Sequence, residues 1–104
     1  MKKFPLLLLV LVSITAFGKK DTLTIYFDQN WNKTSQEKSS FYRKMYKTPD
    51  KLWQAKDYFN NGTLQMTGKF SDKKGKKRNG RFVYYYENGR IASEGQYDAK
   101  SKQT

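Results

Sequence analysis

Shifted by 27 positions, the chain lies on itself. Tyr58 falls on Tyr85, Phe59 on Tyr86, Asn61 on Asn88 and Gly62 on Gly89. Beyond these, Leu64 falls on Ile91, Gly68 on Gly95 and Phe70 on Tyr97. Each unit reads aromatic-aromatic-x-Asn-Gly-x-aliphatic-x-x-x-Gly-x-aromatic. Asn-Gly between apolar runs is the strongest short hairpin signal, because a type I′ turn needs positive φ at both central residues. The residues just before and just after the turn can then pack across the hairpin. Gly68 and Gly95 occupy equivalent places in the returning strands, where a glycine marks a bulge or the close approach of another group. An aromatic ring lying over that glycine accounts for the pattern. One such hairpin cannot bury its own face, so each unit needs its neighbours.

The rest of the chain reads in the same way. Leu23, Ile25 and Phe27 alternate with polar or aromatic residues and predict a strand. Asp28 to Ser40 is polar around Trp31, a loop or a short helix that Thr34-x-x-Glu37 would open as a capping box. Phe41 to Tyr46 is a second strand with aromatics on both faces, and Thr48-Pro49-Asp50 turns it. Leu52 to Phe59 and Leu64 to Phe70 flank the first Asn-Gly; in the latter, Leu64, Met66 and Phe70 share one face, and Gln65, Thr67 and Lys69 the other. A basic loop over 71–79 follows, with Lys73, Lys74, Lys76, Lys77 and Arg78 around Gly75. Phe82 to Tyr86 and Ile91 to Tyr97 form the last hairpin, and Asp98 to Thr104 is polar and expected to fray. The expectation is an all-β fold, an antiparallel meander of about six strands. Trp31 and Trp53 are read as core or sheet-packing residues.

Tyr85-Tyr86-Glu87-Asn88-Gly89-Arg90-Ile91-Ala92-Ser93-Glu94-Gly95-Gln96-Tyr97 resembles the variant MORN repeat of bacterial YwqK-like antitoxin proteins. Residues 57–70 resemble a second copy, with Thr67 where the unit at 84–97 has Glu94. Gly80-Arg81-Phe82 matches the Gly-x-aromatic opening of the family. The segment upstream, with Tyr26-Phe27-Asp28, Trp31 and Phe41-Tyr42-Arg43, resembles the leader of exported bacterial proteins that carry these repeats. The resemblance implies consecutive antiparallel hairpins in an elongated single-layer sheet, and an interaction module without shared catalytic residues. Its antitoxin label implies neutralising a partner protein by binding it.

The chain opens with Lys2-Lys3, an apolar run from Phe4, and Ala16-Phe17-Gly18, the three parts of a secretory signal peptide cleaved after Gly18. The apolar run is about 14 residues, short of the ~20 that a spanning helix needs. No cysteine follows it to carry a lipid. The expected mature chain, one β domain over 19–104, is therefore exported, periplasmic or secreted. Lys2 and Lys3 leave with the signal, so the net charge of +12 becomes +10.

The chain has no His and no Cys. Disulfides, thiolate metal sites, cysteine nucleophiles and the commonest general base are excluded together. The serines have no His to activate them. Glu87 and Glu94, which flank the last turn, read as surface residues among lysines rather than the paired carboxylates of a glycosidase. No catalytic, cofactor-binding or metal-ligating residue is assigned. What remains is binding. The repeat residues build a sheet. The basic loop reads first as a solvated tip that keeps the sheet soluble, and second as one that offers Lys73, Lys74, Lys76, Lys77 and Arg78 to a protein partner or an anionic envelope surface. The aromatics lie at repeat positions and the chain is exported, which argues against nucleic acid. Open sheet edges supply the alternative, a structural envelope protein that self-associates.

Overall fold

Every alternating run becomes a strand. The computed structural model describes residues 22–104; the signal peptide expected over 1–18 lies outside the described residues. Strands β1 (Leu23–Phe27), β2 (Phe41–Lys47), β3 (Trp53–Phe59), β4 (Leu64–Phe70), β5 (Arg78–Tyr85) and β6 (Ile91–Tyr97) pair antiparallel in sequential order. They form one open six-stranded sheet, the all-β meander that the hairpin pattern predicts. Arg78 and Asn79, expected in the basic loop, belong to β5, so the β4–β5 connection is 71–77.

The turns differ from expectation. Gly62 N–H donates to Phe59 O and Phe59 N–H to Thr63 O; Gly89 N–H donates to Tyr86 O and Tyr86 N–H to Arg90 O. In each hairpin only the glycine has positive φ, 93° at Gly62 and 91° at Gly89. These are three-residue loops, a type I turn closed by a left-handed residue, rather than type I′ turns centred on Asn-Gly. Asn61 and Asn88 serve otherwise: their Oδ1 atoms accept Thr63 N–H and Arg90 N–H, each at 2.9 Å.

The same five-residue geometry recurs at 28–32, 48–52 and 98–102, with left-handed Trp31, Lys51 and Ser101 in the glycine position. Asp28 and Asp98 pin two of these turns by accepting backbone N–H groups two and four residues on. Thr34 does not cap a helix; the 3-10 turn Gln36–Lys38 starts from Ser35, which makes no side-chain cap bond. The tail is not frayed either. Gln103 bridges to Tyr97 and Thr104 N–H donates to Gln96 O. Lys33 bridges to Phe27 in the same way. Both outer strands of the described sheet are thus partly covered by the chain's own returns, a familiar way of blunting an edge.

The internal repeat is also a repeat of structure. The register slips by one residue between Asp57 and Tyr58 in the β3–β4 hairpin, and at the equivalent Tyr84 and Tyr85 in β5–β6. The slip pairs Tyr58 with Leu64 and Tyr85 with Ile91. Leu64 therefore does not follow Met66 onto one face as the simple alternation predicts.

The core lies on one face. Cross-strand pairs place Met45, Ala55 and Gly68 in one row, and Met45, Ala55, Met66, Phe70 and Phe82 form the buried cluster. Phe82 is fully buried and its ring lies on Gly68: a Cβ there would be 2.3, 2.4 and 2.7 Å from three ring atoms. The expected aromatic over the repeat glycine is therefore real at Gly68. Gly95 differs, because the nearest atom to a Cβ there is the ring of Tyr97 at 3.4 Å. Phe70 and Tyr97 meet Phe82 edge-on, with centroids 5.2 and 5.5 Å away.

Candidate functional site

A sheet with one apolar face needs a second layer. Here part of that layer is the β4–β5 connection. Asp72 accepts the N–H groups of Lys76 and Lys77 through Oδ1 at 3.0 and 2.9 Å, which holds the loop as a compact strap. The strap lies back over the sheet at Gly75, while Lys73, Lys74, Lys76 and Lys77 stay exposed to solvent. Gly75, at φ 73°, sits on the buried side chains: a Cβ there would be 2.6 Å from Arg43 Nη1, 3.7 Å from Met45 and 3.8 Å from Phe70. Only a residue without a side chain fits this approach and this φ together.

Beneath the strap lies a buried ion pair. Arg43 on β2 and Asp57 on β3 are directly cross-strand. Arg43 Nε meets Asp57 Oδ1 at 2.6 Å and Nη2 meets Oδ2 at 3.0 Å, a bidentate contact. The guanidinium also lies between the rings of Phe27 and Phe70, at 5.3 and 5.1 Å. Burial pushes the Asp57 carboxyl above its ordinary value, while the hydrogen bond and charge of Arg43 pull it back.

Two clefts open on either side of the strap, and they share Trp31, Arg43, Gly75 and Lys76. The cleft over β3 to β5, about 420 Å³, adds Asp57, Gln65, Arg78 and Tyr84 to its walls. Gln65, expected on the face opposite Met66, lines this cleft with it because of the slip in β4, and its Oε1 is buried without a hydrogen-bond partner among the described residues. The cleft over β1, about 540 Å³, has a floor of Leu23, Ile25 and Phe27 and a rim of Lys33, Lys73, Lys74 and Lys76. Among the described residues its lining holds five cations and no carboxylate. Trp31 stacks on Phe41 at 4.4 Å and walls both clefts.

The basic residues singled out in the sequence therefore divide. Lys73, Lys74 and Lys76 line the β1 cleft, and Lys76 and Arg78 line the other. Lys77 lines neither. Arg78 is tied down, with its guanidinium 5.2 Å from the ring of Tyr97 and Nη1 donating to the Tyr97 hydroxyl at 3.3 Å. The repeat residues form framework: Asn61, Gly62, Asn88 and Gly89 turn the hairpins, and Gly68 and Phe70 build the core. Tyr58 stacks on Tyr42 at 5.0 Å on the opposite face, in a ladder that Tyr26 continues at 6.3 Å. Phe59 packs against Phe41, whereas Tyr86 is more than half exposed. Glu94 pairs with Arg81 at 2.6 Å on the surface, and Glu87 falls inside the last turn. Sequence reading missed Lys33, Gln65 and the Arg43–Asp57 pair. The signal for the pair was present as opposite charges at inward positions on neighbouring strands.

Among the described residues, no three His, Cys, Asp or Glu side chains gather as a metal site, and no helix is long and apolar enough to cross a membrane. No family model matches the chain, and no curated protein or solved structure matches it.

Proposed function

We propose that the chain is a non-catalytic binding module of the bacterial envelope, built on a pair of MORN-type repeats, that engages a protein or an anionic envelope component through the strapped face of its sheet. The observation that carries this reading is the placement of the basic loop. It lies folded on the apolar face, so cations and half-buried apolar side chains line the same two clefts. Apolar floors with convergent polar groups are how binding sites are commonly built. An antitoxin-like neutraliser of a partner protein is one form of this function. The shared turn, register slip and glycine positions of the two hairpins support the repeat assignment.

The test is affinity capture of the tagged chain from bacterial envelope extract at low and at moderate salt. One protein retained at both salts is the expected result. Capture confined to low salt, of many acidic species, would mean that net charge acts alone, because exposed charges are screened over about 10 Å at 0.1 M salt. That result would sink the reading. Self-association through sheet edges is the competing reading. The returns at Lys33 and Gln103 count against it, since they occupy parts of both outer edges.

A further inference from the structure

We infer that the cleft over β1 takes a linear acidic peptide segment of a partner protein, one large apolar side chain seated on the sheet and flanking carboxylates on the lysine rim. This rests on the binding-module reading above and names the partner chemistry for one of its two clefts.

Three features carry it. The floor is the inward row of β1, Leu23, Ile25 and Phe27, each half-buried where it continues the core rows of β2 and β3. Burying one apolar side chain there covers a face that the described residues leave partly open. The rim is of one sign. Lys33, Lys74 and Lys76 meet no carboxylate within 4.0 Å among the described residues, and the fourth, Lys73, reaches over the ring of Trp53 at 5.8 Å. The one buried guanidinium of the cleft, Arg43, is already satisfied by Asp57. The free charge is therefore at the mouth, above the apolar floor, and fits a ligand with an apolar centre and anionic flanks. The two lysine-bearing walls come from separate segments, the first turn and the strap, so their convergence is a property of the folded face. A strand added along the outer edge of β1 is a poorer occupant, because Lys33 and Thr34 already take the positions beside Phe27 and Tyr26.

The experiment measures fluorescence anisotropy of a labelled peptide, Glu-Asp-Leu-Phe-Glu-Asp, against the full chain at 0.15 M salt. Saturable one-to-one binding is expected. Replacing Leu-Phe by Ala-Ala in the peptide should weaken it about tenfold or more, the value of losing a buried apolar group. Lys74→Glu/Lys76→Glu should weaken it by about tenfold or more, since like charges across an interface are strongly unfavourable. Lys44→Glu/Lys56→Glu makes the same change of net charge on the opposite face and should have little effect. Equal loss in the two charge-reversed variants, or undiminished binding of the Ala-Ala peptide, would overturn the site. So would vesicles of phosphatidylglycerol that bind with the same dependence on Lys74 and Lys76 while the peptide does not. A protein captured from envelope extract equally by the wild type and by Lys74→Glu/Lys76→Glu would remove this cleft while leaving the binding-module reading intact.

Discussion

Replacing Gly68 by alanine tests whether the repeat glycine is a packing residue. The backbone there tolerates alanine, since Gly68 lacks the positive φ of the turn glycines. The obstacle is Phe82, whose nearest ring atom would stand 2.3 Å from the new Cβ where 3.4 Å is ordinary contact. The ring must retreat by roughly 1 Å, and it is fully buried between Phe70 and Tyr97. Overpacking of this kind costs about 1–3 kcal/mol, offset by about 0.4–1 kcal/mol from the reduced freedom of the unfolded chain. A net loss of about 1–2 kcal/mol corresponds to a fall in Tm of roughly 5–15 °C for a domain of this size. Gly95→Ala is the matched control, 27 positions on, with 3.4 Å of clearance, and should stay within about 0.5 kcal/mol of wild type. Urea denaturation of both variants, and of Gly68→Ala in a Phe82→Leu background, gives the answer. The cycle should show Gly68→Ala costing less once the ring is gone. Equal effects at Gly68 and Gly95, or strict additivity with Phe82→Leu, would refute the packing argument.

Arg43→Met or Asp57→Leu alone should cost about 3–5 kcal/mol, by stranding the partner's charge under the strap, while the double replacement should come close to wild type; chemical denaturation of the three variants decides this. Gly62→Ala and Gly89→Ala should each lose about 1 kcal/mol through their left-handed φ, whereas Lys51→Gly, at φ 68°, should gain a few tenths, read as shifts in the urea midpoint. The Asp57 carboxyl is raised by burial, so it is harder to ionise folded than unfolded. Its contribution to stability is fully present below the ordinary value near 3.8 and is lost as pH rises through the raised folded value. The stability of wild type relative to Asp57→Asn should therefore increase as pH falls from 7 toward 4; a flat or opposite difference would show that Arg43 outweighs burial.

The strands were legible because their side chains alternate, and the sheet order because consecutive hairpins leave few other topologies. The turn type was not. Asn-Gly satisfies two turn geometries, and the choice fell to the loop whose left-handed residue follows a type I turn. At 28–32 and 98–102 the cue is weaker still, for Trp31 and Ser101 hold the left-handed place that a glycine would have advertised. Aspartates at the start of those turns bond the backbone and stabilise a conformation that the residue type does not favour. The site was half legible. Lysines gathered around Gly75 are visible in the sequence, but whether such a loop stands in solvent or lies on the sheet depends on one close approach, Gly75 upon Arg43, that no periodicity records. Arg43 and Asp57 could have been paired from sequence, since both lie seven residues from Asp50 in the turn that joins their strands.

The strap covers the core and carries its cations with different atoms, and this makes the proposed binding role separable from the fold. Its cover over the core comes from backbone and from the missing side chain at Gly75. Its compactness comes from Asp72. Neither uses an ammonium group. Lys74, Lys76 and Lys77 are exposed, and no carboxylate among the described residues lies within salt-bridge distance of them. Stability alone does not call for such a cluster, since like charges on a short strap repel. Solubility does not require it at this place either, as lysines on the opposite face already keep the sheet charged. Lys74 and Lys76, at the mouth of an apolar cleft, fit the proposed partner. Gly75→Val should unfold the strapped face, and Lys74→Glu/Lys76→Glu should leave it folded while changing what it binds.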